Sequence, residues 1–242
     1  MLAIFKKEIW SYFGNWSAWI IIAIFSILGG LFLFFFDNNS NIFEIGTASL
    51  QSYFQLAPWL LLFLIPALSM RSFAEEQQSG TLSWLFSLPL KFSDLIVGKF
   101  LAVWFLGILC IIPSLVYLYS IYVLGIPAGN LDFGATLGSY FGLILLIAAF
   151  SAIGIFSSTI SNNQIMAYLI GVFICFIMYF GIEQLASYKL LGGADYFLQN
   201  LGISYHYNSF SRGLIDSKDI FYFLIVISLA LFLAKLSLEK KK

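Results

Sequence analysis

Residues 100–124, FLAVWFLGILCIIPSLVYLYSIYVL, run for 25 positions without a charged side chain. About 20 apolar residues in a helix cross the hydrocarbon core of a bilayer, so this stretch spans one with room to tilt. Uncharged runs recur at 16–36 and 53–70 on its N-terminal side, and at 136–158, 165–182 and 220–234 on its C-terminal side. The last is only 15 residues long. It reaches the interface if Lys235 snorkels, with its stem in lipid and its ammonium among the headgroups, so this span is read as 220–236. The expected fold class is an all-α polytopic membrane protein with six transmembrane helices, forming a single domain over 1–242.

Composition agrees with the runs. The chain is 61% apolar and 10% charged, whereas a soluble domain carries about a quarter charged residues to wet its surface. Lys+Arg equals Asp+Glu at 12 each, so no net charge draws the chain to nucleic acid. One histidine and two cysteines are too few for most metal scaffolds or for a disulfide framework. The first run is longer than a signal-peptide core and ends Phe34-Phe35-Phe36-Asp37, a poor cleavage site, so it reads as an uncleaved span. The alternation of a β-barrel strand does not recur.

The basic residues set the orientation. With the termini inside, the inner segments hold Lys6, Lys7, Arg71, Lys91, Lys99, Lys235, Lys240, Lys241 and Lys242, and the outer ones only Lys189, Arg212 and Lys218. Both termini are therefore expected in the cytoplasm.

Between the spans, residues 1–15 read as an interfacial helix. Ile4, Phe5, Trp10, Tyr12 and Phe13 would lie in the membrane boundary while Lys6, Lys7 and Glu8 face headgroups and water. Segment 71–95, RSFAEEQQSGTLSWLFSLPLKFSDL, is the only sizeable inner connection. Glu75 to Gln78 would extend the second helix into water, Gly80 would break it, and Thr81 would cap a short helix over 82–88 that Pro89 stops. Leu82, Leu85 and Phe86 share one face of that helix. Glu76, a turn before the break, can face a partner. Ser93 is read as the cap of the third span, with Asp94 in its first turn where the helix dipole favours an acid. The outer segment 183–219 is too long to be structureless and is expected to be partly helical. Within it Arg212 and Asp216 are four apart and would sit side by side on a helical turn.

Little of this can carry chemistry. His206 lacks a partner nucleophile pattern, and Cys110 and Cys175 lie in apolar spans where a thiol is a small hydrophobe. No phosphate-binding loop is present, so any ATP must be handled by another chain. The runs hold none of the acids, bases or histidines that ion-coupled transport keeps in the membrane, although Pro58, Pro66 and Pro113 leave discontinuous helices open. Gly134, Gly138 and Gly142 recur every fourth residue, so one face of the fourth span lets another helix approach closely. Intrachain packing is the ordinary use of such a face, and a homodimer seam the other.

Glu76 with Gly80-Thr81-Leu82, Leu85 and Pro89 resembles the E-x-x-x-G-T-L-x-x-L-x-x-x-P stretch of ABC-2-type transporter permeases. Ser161-Asn162-Asn163-Gln164-Ile165-Met166-Ala167 resembles the family's N-Q-x-x-A turn between its fourth and fifth spans, and residues 210–216 its F-x-R-G-x-x-D outer stretch. With the starting Lys6-Lys7-Glu8, the pattern is most similar to gliding-motility-associated ABC permeases of the GldF type. Ser83 stands where many relatives carry Glu, which removes a charge but keeps the shape. The resemblance implies a non-catalytic subunit in the bacterial inner membrane. Cytoplasmic ATPase subunits would bind ATP and Mg and engage Glu76, Gly80, Thr81, Leu82, Leu85 and Pro89. A companion gliding-type subunit or a second permease copy would complete the membrane unit. A membrane scaffold that moves without transporting, and a secondary transporter, are the alternative readings.

Overall fold

A bilayer offers no water to backbone N–H and C=O groups, so each span must satisfy them internally, and a helix does so without help from neighbours. The computed structural model describes residues 1–36, 41–46, 49–82, 91–126, 131–188 and 195–241, and among them every regular element is helical. We number the principal helices α1 (Leu2–Gly14), α2 (Ser17–Phe34), α3 (Gln51–Gln78), α4 (Phe92–Leu124), α5 (Phe133–Ile160), α6 (Gln164–Ser187), α7 (Ile203–Ser211) and α8 (Ser217–Glu239). Six of these, α2 to α6 and α8, are long and apolar enough to cross a membrane.

Polar side chains start several of them. Asp132 accepts Ala135 N–H at 2.9 Å, Asn163 accepts Ile165 N–H at 2.9 Å, and Asp216 accepts Lys218 N–H at 3.0 Å, each answering an N–H that has no partner inside its helix. Ser93 does not cap α4. The helix begins one residue earlier, at Phe92, so Lys91 takes the cap position and Asp94 lies in the first turn. Pro58 and Pro66 lie within α3 without ending it, whereas α4 is interrupted where Pro113 follows Ile112. α6 contains a π-helical turn, Ile177–Gly181.

α5 is the axis of the bundle. In its most apolar stretch 78% of residues are buried, against 22% in α2 and α6 and 17% in α8, so α5 is wrapped by protein and the other three present broad faces to lipid. α3, α4, α6, α7 and α8 all pack on α5.

Among the described residues after α6, Asp195–Gln199 and α7 are helical. α7 drops between the ends of α3, α5 and α8. Tyr207 donates to Phe54 O at 2.7 Å, and Ser139 donates to Phe210 O at 2.9 Å. Here the small residues of α5 matter. A Cβ on Gly142 would run into the Phe210 side chain, and one on Gly138 would lie 2.9 Å from Gly213 O. The stripe therefore receives a helix of its own chain. Gly134 takes no part: it is exposed, and a Cβ there would meet only Asp132 at 3.4 Å. Arg212 and Asp216 do not pair on a helical turn either, because α7 ends at Ser211 and Asp216 is already the cap of α8.

The candidate coupling site at the end shared by the termini

α1 and the end of α8 lie at the same end of the bundle, beside the end of α3 and the start of α4. α1 is split between membrane boundary and protein. Trp10 is exposed, but Tyr12 is buried and donates to Leu68 O at 2.6 Å, Phe5 packs edge-on against Phe105, and Glu8 turns inward rather than to water. Burial pushes the Tyr12 hydroxyl well above the usual phenol range, so it stays a neutral donor.

The reason for the inward turn is Lys99. Its side chain is 3% exposed, one residue outside the uncharged run of α4. The ammonium lies 2.7 Å from Glu76 Oε1 and 3.2 Å from Glu8 Oε1, donates to Ser72 O, and sits 4.7 Å from the centre of the Phe73 ring. Burying such a charge alone costs several kcal/mol, by an effective estimate, and close partners offset that cost. Groups from α1 and α3 thus converge on a nitrogen carried by α4, so three helices meet at one ammonium. Lys7, 4.0 Å from Glu76 but two-thirds exposed, adds little. Thus Glu76 is held inside the protein rather than facing open water.

On its other side the end of α3 is held by α5. The α-helix is interrupted at Met70 and restarts at Arg71, which leaves first-turn N–H groups needing acceptors. Ser158 Oγ supplies one, accepting Phe73 N–H at 2.8 Å and Ala74 N–H at 3.1 Å. Gln77 donates to Ser158 O and Thr159 O, both at 3.3 Å, and accepts Lys241 Nζ at 2.5 Å. Lys241 also donates to Asn162 Oδ1 at 3.1 Å, so the turn between α5 and α6 joins the same assembly. Loss of solvent around Lys241 lowers its pKa.

The chain then leaves α3 through Gly80, whose φ of 71° is the left-handed conformation that favours glycine. Thr81 donates to Glu76 O at 3.3 Å, and Leu82 is buried. The helix expected over 82–88, with Leu85 and Pro89, lies outside the described residues. Beside these groups is a cleft of about 240 Å³, lined among others by Lys7, Glu8, Arg71, Glu75, Glu76 and Thr81. Two buried polar atoms at this end, Glu76 Oε2 and Ser72 Oγ, have no hydrogen-bond partner among the described residues. Sequence reasoning places Glu76, Gly80, Thr81 and Leu82 here but misses Lys99, Glu8 and Ser158. The available signal is a lysine directly beside an uncharged run, on the side of the bundle that also holds unpaired acids.

Six membrane-crossing helices, an α7 wedge packed among them, and a polar assembly where the chain ends meet define a multi-pass membrane protein with one organised end. Residues 36–191 match the family described as ABC-2 family transporter protein, and the chain belongs to that family. It is accordingly the permease subunit of an ATP-binding cassette transporter, a membrane chain that works with an ABC ATPase. The match includes the Gly80 break and the Asn163-Gln164 turn and ends before residues 210–216. The chain matches no curated protein sequence.

Proposed function

We propose that segment 71–95 receives the ATPase and that the Lys99 assembly carries its movement to the spans. In this reading ATP and Mg are bound by the partner, and the short helix over 82–88 is the contact. The observation that carries it is the joining of α1, α3 and α4 on the Lys99 ammonium, directly behind Gly80. A push on the contact helix then moves three helices together instead of flexing a loop. The same end would face the cytoplasm of a bacterial inner membrane, as the distribution of basic residues favours. A companion subunit or second copy would complete the membrane unit, and the work done, transport or conformational, would serve gliding motility, for which the support is the sequence resemblance.

The test is Leu85→Asp in the complex purified with its ATPase. A charge on the contact face should abolish ATPase association or stimulation while the chain still inserts, and Ser83→Ala should leave both intact. Full stimulation in the Leu85→Asp complex would overturn the coupling assignment. For sidedness, Ser79→Cys should resist an impermeant maleimide in intact cells and Ser217→Cys should react. The gliding assignment fails if deleting the gene leaves colony spreading unchanged.

A further inference from the structure

The end of the bundle away from the termini holds a second cleft, of about 170 Å³, where the starts of α3 and α5 meet the end of α7. Leu50, Phe54 and Leu131 give it apolar walls, and Arg212 and Asp132 give it one cation and one anion. The two charges share the cleft without pairing, and Arg212 has no ion-pair partner among the described residues. Asp132 spends one carboxylate oxygen on Ala135 N–H, and among the described residues nothing hydrogen-bonds the other. The hydroxyls of Thr136 and Ser211 donate to Asp132 O and Asn208 O, which leaves their oxygen lone pairs as acceptors. Leu50 and Gln51 border the cleft at a helix start that no side chain caps, so backbone N–H donors lie on the same rim.

This combination selects its ligand by charge. A simple anion drawn to Arg212 would meet Asp132, and a simple cation drawn to Asp132 would meet Arg212. A molecule carrying both signs satisfies both. We propose that this cleft binds a phosphate–ammonium zwitterion of the phosphoethanolamine class, with the phosphate at Arg212 and the ammonium at Asp132. Guanidinium groups are well suited to phosphate, to which they can present two parallel N–H donors. The site lies where two of the apolar helices, α3 and α5, begin, so the zwitterion can come from a membrane phospholipid or from solution. The proposal does not depend on the coupling assignment, since it concerns the opposite end of the bundle.

The experiment follows maleimide labelling of Ser49→Cys in the full chain, at the edge of the cleft, with Cys110 and Cys175 buried and out of reach. In nanodiscs of phosphatidylethanolamine, labelling should be about tenfold slower than in phosphatidylglycerol, the scale of one charge-assisted hydrogen bond. Arg212→Gln and Asp132→Asn should each remove the difference. Asparagine still caps α5, so the second variant loses the charge and keeps the helix start. Soluble phosphoethanolamine added to phosphatidylglycerol discs separates the sources: protection there assigns a soluble zwitterion, and protection by the lipid alone assigns a membrane headgroup. Equal labelling in all three conditions, or protection that survives both variants, overturns the proposal.

Discussion

The two ends of this bundle meet the same physical demand by different means. At the end shared by the termini, segments far apart in sequence are tied by charge and hydrogen bonds to Lys99, Ser158 and Gln77. At the far end the chain fills the space itself, with α7 pressed onto the small residues of α5. A buried side-chain contact there is local: His206 meets Asp219 at 2.7 Å and Asn200 O at 2.8 Å, with its ring stacked on Tyr222. Close packing resists any displacement, whereas a charge assembly fixes which groups stay together and leaves the surrounding surface free. The end that is tied rather than filled is the one beside the segment proposed to meet the ATPase.

Substitutions can dissolve this contrast, with thermal unfolding in detergent as the measurement. The largest effect is expected from Lys99→Met, which leaves Glu8 and Glu76 facing one another without a buried cation and should cost about 3–5 kcal/mol. Adding Glu76→Gln to Lys99→Met should recover part of that loss; no recovery would mean that the lysine stem, not its charge, holds the end together. At the far end, Asp219→Ala removes the partner of a buried histidine and should cost about 1.5–3 kcal/mol. Gly142→Leu forces a side chain into Phe210 and should cost about 1–3 kcal/mol, while Leu137→Phe on the lipid-facing side should be close to neutral. If the Gly142 and Leu137 variants melt together, α7 yields to its neighbour and the far end is not rigidly filled. The smallest change is expected for Lys7→Ala, below about 0.5 kcal/mol, because that pair is exposed and long. A larger loss there would bring Lys7 into the assembly around Lys99.

The spans are legible because charge is so costly in hydrocarbon that a run of about 20 residues without any marks a crossing. Their ends are not. An uncharged run stops at its first charge, yet α3 continues to Gln78 and α8 to Glu239, since a helix entering water keeps its hydrogen bonds. Lys99 looks like an ordinary inner-side charge for a related reason: a lysine at a span edge usually snorkels to the headgroups. Its burial depends on acids at positions 8 and 76, which no local pattern links to it. Ser158 is visible in the sequence only as one more small residue, because its role arises from an interruption in a different helix. The Gly80 break is readable since it is a property of the local backbone, and the opposed charges of the far cleft are not, because they meet only after α7 folds back.

The π turn in α6 has a geometric consequence. The buried residues before it, Ala167, Gly171 and Cys175, recur every fourth position, and the next, Tyr179, lies within the turn. In an α-helix a stripe of that spacing slips about 40° around the axis at each step. After a few steps it would point into lipid. A π turn takes in more residues than an α turn and rotates the stripe the opposite way. Tyr179 is thereby returned to the bundle, against Trp59, Phe150 and Tyr207. One wide turn thus corrects the phase of a helix that would otherwise unwind from its own neighbours.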